Sequence, residues 1–142
     1  MGLRKFISKF FYNKYNDPNL FNGTGKLTYE EEFQQLGIFE YDEEGFIIRY
    51  EEICTRIRWK DITELNVYKR DLMTIDSITM DIVYGEMQTT ISEDLPGWHQ
   101  FVERSKIIFP EIPGDWDWVI VQPPFATNYR NIYKKEEKLN IK

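Results

Sequence analysis

The side chains in this chain best suited to chemistry are carboxylates, with Asp76, Asp81, Glu86, Glu93 and Asp94 all close together in the middle of the sequence. Asp71, Asp76 and Asp81 recur at every fifth position, and Glu93 and Asp94 are adjacent. Grouped acids of this kind can hold a hard cation through oxygen ligands or share acid and base duties, so an aspartate-based, metal-dependent hydrolase is one reading. The other parts of a catalytic site are missing. The single histidine, His99, has no serine or cysteine partner at a known spacing, which argues for a solvated helix residue over a base. With one cysteine, Cys54, and one histidine, the chain lacks the ligands for zinc, and it has neither a glycine-rich phosphate loop nor an EF-hand loop. Acids on an antiparallel sheet usually form a solvated face, so we expect no catalytic residue, no metal and no cofactor.

The elements that must position these acids lie between Leu36 and Ser92. In Ile53 to Trp59, the residues Ile53, Ile57 and Trp59 fall on one side and Arg56 and Arg58 on the other, the period-2 pattern of a strand with one dry face. From Ile75 to Tyr84 the pattern repeats, with Ile78, Met80, Ile82 and Tyr84 together and Asp76, Thr79 and Asp81 among the polar positions. Phe46–Tyr50, Leu65–Arg70 and Met87–Ile91 are further strands rich in β-branched and aromatic residues. Turn formers separate them at Asp42–Gly45, Lys60–Asp61 and Tyr84–Glu86, and connections this short predict an antiparallel meander.

A chain of 142 residues fits one domain able to hold a core without staples. One cysteine excludes an internal disulfide. The lack of a secretory core or an apolar run of membrane-spanning length predicts a cytoplasmic protein. The formal net charge is −6; the four cations before Asp17 (Arg4, Lys5, Lys9 and Lys14) are unaccompanied by acids, which leaves −10 on the remainder. Such a body repels nucleic acid and attracts basic partners.

Leu3, Phe6, Ile7, Phe10 and Phe11 recur at helical spacing, predicting an amphipathic helix over 2–14 with a basic outer face. It either packs on the body or provides the chain's only membrane-surface contact. Turn-forming residues 15–28 read as a linker, 29–135 as the single domain and 136–142 as a frayed tail. After the sheet, Ser92 or Asp94 can cap a helix carrying Trp98, Phe101 and Val102 that runs out before Pro110. Residues 110–128 read as an extended arm with Val119–Val121 as a further strand, and Trp116 and Trp118 serve either packing or a partner. The fold class is α+β: a strongly bent antiparallel sheet of about six or seven strands closed by one C-terminal helix, preceded by the N-terminal helix.

Tyr68-Lys69-Arg70-Asp71-Leu72 with Thr74, Asp76 and Ile78, then Ile91-Ser92-Glu93-Asp94 with Pro96-Gly97-Trp98, then Pro124-Phe125-Ala126-Thr127-Asn128 with Tyr133, resemble a family of small, largely uncharacterised bacterial proteins. The resemblance covers roughly residues 30–135 and implies a pleckstrin-homology-like fold. It also implies the role of an immunity protein encoded beside a secreted toxin, and it assigns no catalytic residue. The function expected is therefore non-catalytic binding that neutralises a basic protein partner. Asp76, Asp81, Glu86, Glu93 and Asp94 would steer the partner, and Tyr68, Trp116 and Trp118 would offer the buried anchor. A membrane-surface or lipid-associated adaptor is the alternative, and nucleic acid is excluded as a partner. Neither the oligomeric state nor the identity of the partner follows from the sequence.

Overall fold

The computed structural model describes residues 9–10, 29–71, 76–123 and 126–136. Among the described residues, eight strands form two sheets. Strands β2 (Phe39–Tyr41), β3 (Gly45–Tyr50) and β4 (Ile53–Arg58) make a three-stranded antiparallel sheet. The other is five-stranded in the order β1-β7-β6-β5-β8, from β1 (Lys9–Phe10), β5 (Ile62–Asp71), β6 (Asp76–Tyr84), β7 (Met87–Ser92) and β8 (Arg130–Lys134). Helix α1 (Tyr29–Gln34) precedes β2, while α2 (Trp98–Ile108) and α3 (Trp116–Ile120) lie between β7 and β8. No helix among the described residues is long and apolar enough to cross a membrane.

The expected alternation is realised on β3 and β4, whereas β6 is buried on both faces, with Ser77 and Thr79 as enclosed as Ile78 and Met80. On β3 the side chains of Phe46, Ile48 and Tyr50 are buried and Arg49 is exposed; on β4, Ile57 is buried while Cys54, Arg56 and Arg58 are exposed. The turn between β2 and β3 is held by Asp42, whose Oδ1 accepts the amide protons of Glu44 (2.8 Å) and Gly45 (2.9 Å). Ile78, Met80 and Ile82 of β6 and Leu65 and Val67 of β5 face the core with Ile91 of β7. Against them packs Phe101 of α2, with ring centroids 5.1 Å from both Phe39 and Phe46 and 5.9 Å from Trp59. Complete burial of a phenylalanine contributes about 1.5–3 kcal/mol, which makes Phe101 the joint between α2 and the small sheet.

Several expectations change. The single bent sheet is two sheets, because the chain breaks its strand pairing at a 3-10 turn, Trp59–Asp61, where Trp59 turns into the core. The helix predicted over 2–14 lies outside the described residues except at Lys9–Phe10. These two are extended and pair in parallel with Thr89 and Thr90, using the backbone groups on the outer edge of β7. Val119–Val121 is no strand: Trp116 and Ile120 are one helical turn apart and both buried, so burial selects α3. Nor is α2 the last element, since β8 returns to pair with β5.

Neither Ser92 nor Asp94 caps α2; the N-cap is Gly97, at φ 94° and without a side-chain hydrogen bond. Gly97 and Gly37 stand back to back. A Cβ on Gly37 would lie 1.8 Å from the Pro96 carbonyl oxygen, and one on Gly97 2.2 Å from the Leu36 carbonyl oxygen. The two backbones touch where β2 and α2 begin, joined by the Ile38 amide donating to the Pro96 carbonyl (3.2 Å).

Candidate functional site

The arm from α3 to β8 is fastened to the large sheet and still presents apolar side chains outward. Lys69 follows Leu65 and Val67 on the dry side of β5 and is 3% exposed. Its Nζ donates to the carbonyls of Val121 (3.1 Å) and Pro123 and lies 3.5 Å from an Asp76 carboxylate oxygen. Asn128, in the left-handed region at φ 48°, donates from Nδ2 to the carbonyls of Ile120 (3.1 Å) and Gln122 (3.0 Å). The carbonyl of Ile120, the last residue of α3, and those of Val121, Gln122 and Pro123 just beyond it thus each meet a side-chain donor. The Lys69 amide also donates to the Thr127 carbonyl at 2.8 Å. On this arm Trp116 is 2% exposed, whereas Trp118 is 71% and Tyr129 60% exposed, with Val121 also outside.

Tyr129 stacks on Tyr68 with ring centroids 6.0 Å apart. The Tyr68 hydroxyl donates to Asp81 Oδ1 at 3.2 Å, and the Thr90 hydroxyl donates to the same oxygen at 2.7 Å. Burial raises the Asp81 pKa, and those two hydrogen bonds work against it. Burial also pushes Tyr68 up to about 12, helped by the Asp81 charge. Tyr68 and Asp81 are thirteen residues apart in sequence and meet because β5 and β6 pair with Tyr68 opposite Thr79, two residues from Asp81 on the same face.

The remaining expected site residues divide. Asp76, Glu93 and Asp94 gather at the start of β6: the Ser77 hydroxyl donates to Asp94 Oδ2 (3.0 Å), and the Ile78 amide donates to Glu93 Oε1 (2.9 Å). Glu86 sits exposed in the hairpin at the opposite end of β6. Trp116 is corrected from a partner anchor to a core residue, edge-on to Trp98 at 6.3 Å. Asp76 and Asp81 point to opposite faces of β6, because an odd spacing on a strand changes sides, so these two do not share an ion site. No group of three or more His, Cys, Asp or Glu among the described residues is arranged to hold a metal. His99 is half-buried against Phe33, centroids 6.2 Å apart, rather than solvated. Sequence reading missed Tyr129, Asn128 and Lys69, of which Lys69 carried a signal as a lysine at a dry position.

With this geometry in hand, comparison with known proteins finds no matching family model, no similar curated protein and no similar solved structure.

Burial raises the Glu93 pKa, with the neighbouring Asp94 charge adding to it. A carboxyl that binds its proton more tightly folded than unfolded lends stability at low pH, lost as pH rises from the unfolded pKa through the folded one. Asp42 acts oppositely: the Arg56 hydrogen bond holds it down to about 2, a contribution present above the ordinary aspartate value and lost as pH falls toward about 2. Urea melts should therefore show protonation of Asp81 and Glu93 adding stability as pH is lowered from 7 into the ordinary carboxylate range. The gain should shrink in an Asp81→Asn/Glu93→Gln variant, and an unchanged gain there would assign it to other groups.

Proposed function

We propose that this protein is a non-catalytic protein-binding module that captures a basic partner through the α3–β8 arm. The carrying observation is Trp118, 71% exposed on a helix whose opposite side is pinned in the core by Trp116 and Ile120. A fixed, outward tryptophan is the commonest kind of binding hot spot, since little side-chain entropy remains to be lost on contact. Asp115 and Asp117 flank it against one cation, Lys106, whose Nζ lies 3.4 Å from Asp117, so the excess charge beside the tryptophan has the sign that draws a cationic surface. The −10 charge beyond residue 16 adds long-range steering. We further read the two sheets with α2 as pleckstrin-homology-like and the role as that of an immunity protein neutralising a toxin. What supports this is the order of three antiparallel strands, three more and then a helix, together with the sequence resemblance.

The test is capture from lysate of the source organism by tagged wild-type and Trp118→Ala protein, washed at low and high salt. A single basic protein should be retained near stoichiometrically by the wild type. Measured with that purified partner, Trp118→Ala should weaken binding at least about 30-fold, the loss of a hot spot of about 2 kcal/mol. Equal affinity for the variant would remove the arm from the interface.

A further inference from the structure

Asp81 is a half-buried carboxylate with no cation beside it among the described residues. The described residues place no lysine or arginine in an ion pair with it, and both of its hydrogen bonds, from Tyr68 and Thr90, fall on Oδ1. Oδ2 accepts none among the described residues. Taking a carboxylate partly out of water without a compensating charge is costly, so a fold that does so without need should have lost the charge. Next to it, Tyr129 offers an exposed ring face, held flat by its stack on Tyr68 (interplanar angle 21°). Thr79, across from Tyr68 and two residues before Asp81 on the same face, is 1% exposed, and its hydroxyl has no hydrogen-bond partner. Among the described residues this face of the sheet thus has unmet hydrogen-bonding capacity where native sheets are ordinarily satisfied.

We propose that Asp81, Tyr68 and Tyr129 form a receptor for one guanidinium group, an arginine side chain of the basic partner. The planar cation stacks on the Tyr129 ring while its N–H groups donate to Asp81 Oδ2, combining a cation–π contact with a charge-assisted hydrogen bond. Tyr68 and Thr90 hold Oδ1 and so fix the direction in which Oδ2 points. Arg70, two residues from Tyr68 on β5, is near enough to lower the Tyr68 pKa. This inference rests on the basic-partner reading, yet concerns a different group of residues from Trp118.

The probe is ethylguanidinium chloride, titrated into the full-length protein and followed by NMR at the Tyr129 ring and the Asp81 carboxyl carbon, with potassium chloride as the ionic-strength control. We expect a saturable shift at both groups, and an Asp81 titration midpoint that drops when the probe is bound. Asp81→Asn keeps an acceptor oxygen for Tyr68 and Thr90 and sheds a half-buried charge; it should fold with undiminished stability and lose the saturable shift. Tyr129→Ala, at an exposed position, should weaken the probe about two- to fivefold, the worth of an exposed cation–π contact. A linear response matched by potassium chloride, equal affinity in Asp81→Asn, or binding that appears only after Arg70→Gln would each overturn the receptor. The two proposals fail separately. Probe binding with no basic protein captured sinks the partner reading alone, and a captured partner that Asp81→Asn does not weaken sinks the receptor alone.

Discussion

Replacing Lys69 with methionine should destabilise the protein by about 3–5 kcal/mol, the cost of withdrawing one member of a buried ion pair. Methionine fills similar space, so the loss is electrical rather than steric. Asp76 gives up its buried cation, and the carbonyls of Val121 and Pro123 give up a charged donor. Because those carbonyls belong to the arm, the damage should be local as well as global: Trp118 and Tyr129 lose their fixed seat, and limited proteolysis should cut between 121 and 128 before the sheet unfolds. Lys69→Met/Asp76→Asn should recover part of the loss, since the second change removes the charge left behind. Urea denaturation decides the matter, and a loss below about 1 kcal/mol would mean that the lysine is a bystander.

Gly97→Ala should cost at least about 3 kcal/mol, combining left-handed strain of about 1–3 kcal/mol with overpacking of similar size. The added carbon would meet the Leu36 carbonyl oxygen at 2.2 Å and a Phe39 ring carbon at 2.9 Å, neither of which can retreat. Gly85→Ala is the control. That hairpin glycine also has positive φ, 57°, but a Cβ there meets nothing within 4 Å, so only the strain of about 1–2 kcal/mol remains. Thermal melts of the two variants side by side separate conformation from collision, and equal losses would refute the back-to-back contact.

Strands β3 and β4 were readable because each buries one face, and a two-residue period survives in any sequence that does so. What hid was the tertiary arrangement. Trp59 lies in the alternation of β4, yet nothing local says that the chain turns there and starts a second sheet. In α3 the run Val119-Ile120-Val121 resembles a strand, while the deciding spacing, Trp116 to Ile120, is masked by Trp118 between them. β8 buries little beyond Ile132 and so offers almost no pattern. The site was legible in part. Tyr68 and Asp81 were singled out as separate members of an acidic, aromatic set, but their meeting depends on the register of β5 against β6. Tyr129 belongs to no periodic segment, and only its position after the Asn128 turn gives it a partner ring.

The distribution of the four tryptophans also gives the molecule an optical address. Trp59, Trp98 and Trp116 are enclosed by hydrocarbon, and Trp118 alone faces water. Light emitted from this protein therefore has a blue component that reports whether the core is intact and a red component that comes from the arm. A soluble quencher extinguishes the red component first, and anything that settles over Trp118 shields it. The native chain carries its own binding reporter, with no label added.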